Sequence, residues 1–95
     1  MSETNAQTTF APAAGVIVRR QKADYLFYNS RTDELHLVPP PGHAVYAMCD
    51  GVRSLQEIAE ALAASFEVDS AELRAPLGAF LEQLEARGLV ERSDG

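Results

Sequence analysis

A chain of 95 residues makes one domain, and a domain of that size buries only about 60–65% of the surface its unfolded chain exposes, too little for a deep, walled active site. Eight Lys and Arg stand against 14 Asp and Glu for a formal charge of −6, and residues 51–95 hold nine of those acids against four bases. Nucleic-acid binding needs basic side chains to displace counterions from phosphates, which speaks against nucleic acid as a partner; nothing approaches about 18 consecutive apolar residues and no basic stretch leads into an apolar one, so a soluble, cytoplasmic protein without a membrane partner is expected.

Residues 1–14 mix Ser, Thr, Asn, Gln, Ala and Pro without a period. Such a composition buries too little apolar area to offset its ordering entropy, and it predicts a disordered tail ahead of a domain over residues 15–92. Gly15-Val16-Ile17-Val18-Arg19-Arg20 is β-branched, Tyr25-Leu26-Phe27-Tyr28 is aromatic, and Leu35-His36-Leu37-Val38 alternates. Three short strands follow from these patterns, with Asn29-Ser30-Arg31-Thr32-Asp33 as a hairpin loop. At least one face of the aromatic run should pack on helices.

Pro39-Pro40-Pro41 cannot continue a ladder, since proline has no N–H, and Pro41 suits the first turn of a helix. That helix is expected over residues 41–48 or 41–49, burying Val45, Met48 and Cys49. Ser54 with Glu57 three residues on predicts a capping box, and Leu55, Ile58, Ala59, Leu62 and Phe66 fall on one stripe behind it. Asp69 and Glu72 repeat the pattern, Leu77, Phe80, Leu81 and Leu84 continue the stripe, and Gly88 suits a left-handed helix end. Pro76 costs about 3 kcal/mol inside a helix, so the reading is either a separate turn before it or a kink at it. The sum is an α+β fold: a three-stranded antiparallel sheet followed by three helices, a winged-helix-like arrangement.

Each reactive side chain has an ordinary role. Cys49 lies on the stripe of Val45 and Met48 and reads as core. With one cysteine and two histidines there is no disulfide and no zinc-ligand spacing, so neither metal nor cofactor is expected. His36 sits mid-strand as a surface or partner-facing residue, and His43 falls in a first helical turn as a solvated one. Neither has an acid or base fixed beside it by local spacing, and an enzyme is not expected.

Four segments together carry a resemblance: Leu35-His36-Leu37, the helix end Cys49-Asp50-Gly51, the opening Ser54-Leu55-Gln56-Glu57-Ile58-Ala59, and the ending Phe80-Leu81-x-x-Leu84-x-x-x-Gly88-Leu89-Val90. The chain resembles the PqqD-like family over residues 15–90. The resemblance implies a recognition element, or peptide chaperone, of natural-product biosynthesis. Such a domain binds the leader of a ribosomally made precursor peptide and presents the peptide to a modifying enzyme, often a radical S-adenosylmethionine enzyme. It also implies where: the leader adds as a strand beside Glu34, Leu35, His36, Leu37 and Val38 and lies in a groove closed by the third helix, at Leu77, Phe80, Leu81 and Leu84. An unpaired strand edge offers its N–H and C=O groups to an extended peptide, which supports that placement physically.

Two other functions share the layer order. A winged-helix DNA-binding regulator needs basic side chains on its reading helix, yet residues 54–66 hold no Lys or Arg, and residues 69–87 hold only Arg74 and Arg87 against four acids. A dimerisation module pairing by sheet edges would use the same exposed strand.

Overall fold

The computed structural model describes residues 4–93. In chain order the elements are β1 (Thr9–Pro12), β2 (Val16–Gln21), β3 (Asp24–Asn29), β4 (Glu34–Val38), α1 (Pro40–Ala47), α2 (Leu55–Phe66), α3 (Ser70–Ala86) and β5 (Val90–Ser93). The expected antiparallel sheet forms in the order β2-β3-β4, and the three helices follow it. Gln21 pairs with Asp24, so Lys22 and Ala23 alone make the first turn, with Lys22 at a positive φ of 57°. Register sets Tyr25 opposite Val38 and Phe27 opposite His36. Side chains alternate along a strand, so Phe27 and Val38 enter the core while Leu35 and Leu37 stay 62% and 59% exposed on the other face. Phe27 also meets Tyr46 of α1 edge-on, ring centroids 4.7 Å apart, so the aromatic run does pack on a helix through one face.

The helices start where the sequence provides caps. The Ser54 N–H donates to Glu57 Oε1 at 2.9 Å and the Glu57 N–H returns to Ser54 Oγ at 3.2 Å, completing the reciprocal box. Asp69 caps α3 differently, accepting from the Ala71 N–H at 3.0 Å, so its side chain makes no box with Glu72. Pro39 precedes α1, and Pro40 and Pro41 fill first-turn positions that have no intrahelical acceptor in any case. Of the two readings of Pro76, the separate turn with a helix starting at the proline does not hold, since Pro76 lies inside an α3 that already begins at Ser70. Phe66 departs from the predicted stripe: it is 62% exposed at the last position of α2, where Glu67 turns the chain at φ 57°, and Ala63 is buried instead.

The largest correction concerns residues 1–14. Residues 1–3 lie outside the described residues, but Thr9–Pro12 is a strand paired antiparallel with β5, from Thr9 opposite Ser93 to Pro12 opposite Val90. Phe10 and Thr8 are buried. The Leu55 N–H donates to Thr8 O at 2.8 Å, Gly51 N–H to Phe10 O at 2.7 Å and Ala13 N–H to Leu89 O at 3.0 Å. One buried aromatic ring and backbone pairing across the whole chain supply what the segment's polar composition lacks. β5 was equally unexpected: Gly88, at φ +72°, turns the chain out of α3 and sends Leu89 and Val90 into the core. The fold is therefore the expected α+β arrangement with a second, two-stranded sheet, β1-β5, made from its two ends.

Candidate functional site

β4 pairs with β3 alone, so among the described residues one of its edges is unpaired. Such an edge presents backbone donors and acceptors from alternate residues. At its C-terminal end the strand runs through Val38 into the prolines that open α1, and α3 crosses at the same place. Gly42 marks the junction: a Cβ there would stand 2.7 Å from Val38 Cγ1 and 2.9 Å from Phe80 Cζ. A larger residue fits only if the Val38 side chain and the Phe80 ring both shift, and glycine lets the three elements meet.

Beside this junction lies a cavity of about 320 Å³. Pro39, Pro41, Gly42 and Val45 wall it on the strand–α1 side, Leu62 on α2, and Leu73, Pro76, Leu77 and Phe80 on α3. Every lining residue is apolar. A concave apolar wall of this kind accepts aliphatic or aromatic side chains and gives a charged group no partner. The last four fall at i, i+3, i+4 and i+7, a single stripe of α3.

A family model described as coenzyme PQQ synthesis protein D (PqqD) matches residues 26–90. The chain belongs to the PqqD family. The match runs from Leu26 in β3 to the first residue of β5 and so takes in the β4 edge and the whole cavity. Among solved structures the fold is similar to TbiB1 in complex with the TbiA(beta) leader peptide, with TM-score 0.74 and 18% identity over 85% of this chain and 94% of that one. It is also similar to lasso peptide synthetase B1 complexed with the leader peptide, with TM-score 0.75 and 15% identity over 86% and 96%. No curated protein sequence matches.

In this PqqD-family chain the residues expected at the site separate by position. Glu34, Leu35, His36, Leu37 and Val38 do form the strand with the unpaired edge. Leu77 and Phe80 line the cavity, whereas Leu81 and Leu84 are fully buried and belong to the core. Leu35 and Leu37 contribute backbone to the edge but point their side chains to the far face of the sheet. From sequence, Pro39-Pro40-Pro41 end the sheet and Pro41 opens a helix, but that reading does not mark Pro39, Pro41, Val45, Leu62, Leu73 and Pro76 as cavity walls. The i, i+3, i+4, i+7 spacing from Leu73 to Phe80 was the available signal.

The two histidines are held differently. His43 is not a solvated side chain: its ring stacks on Tyr25 at 3.7 Å and 5° between planes, and it meets Phe27 edge-on at 6.2 Å. His36 is half-buried in β4, with Nε2 4.0 Å from Glu34 Oε1. Among the described residues no group of three His, Cys, Asp or Glu is placed to hold a metal ion, and no helix is long and apolar enough to cross a membrane.

Cys49 is buried, and its Sγ donates to Val45 O at 3.3 Å. Burial, and then the nearby Asp50 charge, push the thiol up to about 12. The folded protein therefore holds this proton more tightly than the unfolded chain, whose thiol titrates near 9.0. That contribution to stability is complete below pH 9.0 and is lost as pH rises toward 12. Iodoacetamide at pH 8 should leave Cys49 unmodified until denaturant is added, and Cys49→Ala should lower stability by roughly 1–2 kcal/mol. Rapid alkylation of the native protein would show that the thiol is accessible.

Proposed function

We propose that this protein is a non-catalytic recognition module. It takes the leader of a ribosomally made precursor peptide as an added strand along the open edge of β4, seats apolar leader side chains in the adjoining cavity, and presents the peptide to a modifying enzyme in the cytoplasm. The observation that carries the reading is the junction itself, where an unpaired strand edge ends at Val38 beside a wholly apolar cavity, with Gly42 and Phe80 in between. Both similar solved structures are complexes with a leader peptide, which supports a peptide in this role. Two of the reactive side chains among the described residues are otherwise engaged. Cys49 is sealed in the core with its thiol pushed up to about 12, and His43 is committed to a ring stack.

The energetics divide the work between backbone and side chains. Each backbone hydrogen bond to a leader contributes about 0.5–1.5 kcal/mol net, while ordering each peptide residue costs about 1–2 kcal/mol. These terms nearly cancel, so the strand edge sets register. Affinity comes from side chains entering the cavity, at about 1.5–3 kcal/mol each.

The test is calorimetric titration with synthetic leader peptides drawn from the short precursor genes of the source genome. Proline substituted singly at Leu35, His36, Leu37 and Val38 removes one N–H at a time. In variants that circular dichroism shows to be folded, binding should be lost where the N–H faces the added strand and should persist at the alternate positions, while His36→Ala should weaken it far less than the effective prolines. Unchanged binding in every folded proline variant would place the peptide elsewhere.

A further inference from the structure

His36 carries a polar atom that no described residue completes. Its Nε2 is shut off from solvent and has no hydrogen-bond partner among the described residues, and Glu34 Oε1, at 4.0 Å, stands beyond hydrogen-bond range. An imidazole nitrogen buried without a partner is worse off than in water, and native structures leave few such groups. The position of this one is informative. His36 lies on the helix-covered face of β4 opposite Phe27, and Val38, two residues along the same face, abuts the Gly42–Phe80 junction.

A strand added to the free edge would bring one residue directly across from His36, with Cβ atoms about 4.5–5.5 Å apart, and would set the residue two positions away across from Val38. We propose that His36 is a specificity determinant for the bound peptide: its Nε2 hydrogen-bonds a neutral polar side chain of the leader, Asn, Gln, Ser or Thr, two positions from the apolar residue that enters the cavity. A neutral imidazole has one donor and one acceptor nitrogen, and these side chains can serve either. A carboxylate is disfavoured because the Glu34 carboxylate already stands beside the same nitrogen, in a chain of formal charge −6. The proposal rests on strand addition at β4, and its test separates the two.

Random peptides displayed on their own messenger RNA are selected in parallel on the wild-type protein, on His36→Phe and on Phe80→Asp. Wild-type peptides should share an apolar residue and, two positions from it, an enrichment of neutral hydrogen-bonding side chains. His36→Phe should keep the first feature and lose the second, and Phe80→Asp should lose the first. Replacing the polar residue of a selected peptide by leucine should weaken binding to the wild type about tenfold, and to His36→Phe by less than about twofold. A polar preference absent from the wild-type pool, or surviving unchanged on His36→Phe, overturns the proposal while leaving strand addition intact. Both features surviving on Phe80→Asp would overturn strand addition and the proposal with it. If His36→Phe does not fold, the leucine-substituted peptide on the wild type decides, and undiminished binding there refutes the role of His36.

Discussion

Phe10→Ala should destabilise the protein by about 3–5 kcal/mol, the cost of truncating a buried phenylalanine, and lower the melting temperature by roughly 15–30 °C for a domain of this size. Phe10 is fully buried in the same core as Phe27, Leu84 and Val90, and Arg92 lies over its ring at 5.5 Å from the centroid. Around it the backbone of β1 pairs with β5, and Gly51 donates to its carbonyl. A total stability of about 5–15 kcal/mol is usual for such proteins, so the loss is a large share of the whole. Thermal unfolding followed by circular dichroism measures it. A substitution in a disordered tail would shift stability by no more than about 0.5 kcal/mol, and a melting curve unchanged by Phe10→Ala would restore the tail reading.

Phe80→Asp should weaken leader binding by roughly 10- to 150-fold, the equivalent of about 1.5–3 kcal/mol. The residue stands where β4, α1 and α3 meet and forms part of the cavity wall. Aspartate removes the ring that an apolar leader side chain would pack against and puts a charge among groups that offer it no partner. Phe80 is only half-buried, so the variant is expected to remain folded. Phe80→Leu, which keeps the wall apolar, should retain most of the affinity. Equal affinities for the wild type and folded Phe80→Asp, measured by calorimetry, would remove the cavity from the binding site.

What could be read from sequence was what is written locally. β-Branched and aromatic runs marked β2, β3 and β4, three prolines ended the sheet, and Ser54 with Glu57 set the start of α2, each within a few residues of chain. The β1–β5 pairing was illegible because it joins residues about eighty apart, as Thr9 and Ser93 show, and because Phe10 is a lone aromatic in a polar stretch. Pro76 left two readings open for a different reason: its local cost argues for either a helix boundary or a kink, and only the packing of the whole of α3 decides that the helix begins at Ser70 and runs through the proline. The candidate site was half legible. The β4 segment and the apolar stripe of α3 were apparent. One stripe served two surfaces, however: Leu77 and Phe80 face the cavity while Leu81 and Leu84 fill the core. No periodicity within a single helix tells these apart, because the division depends on α1 and α2 packing beside it.

Strand addition at β4 is tested most directly by amide hydrogen exchange, residue by residue, with and without a saturating leader peptide. The N–H groups of alternate residues between Glu34 and Val38 that face the free edge should exchange at least about tenfold more slowly in the complex, as a hydrogen bond of about 1.4 kcal/mol requires. Those already bonded to β3, and those along the outer edge of β2, should change little. Saturated binding that leaves every amide of β4 exchanging at its free rate would contradict the account.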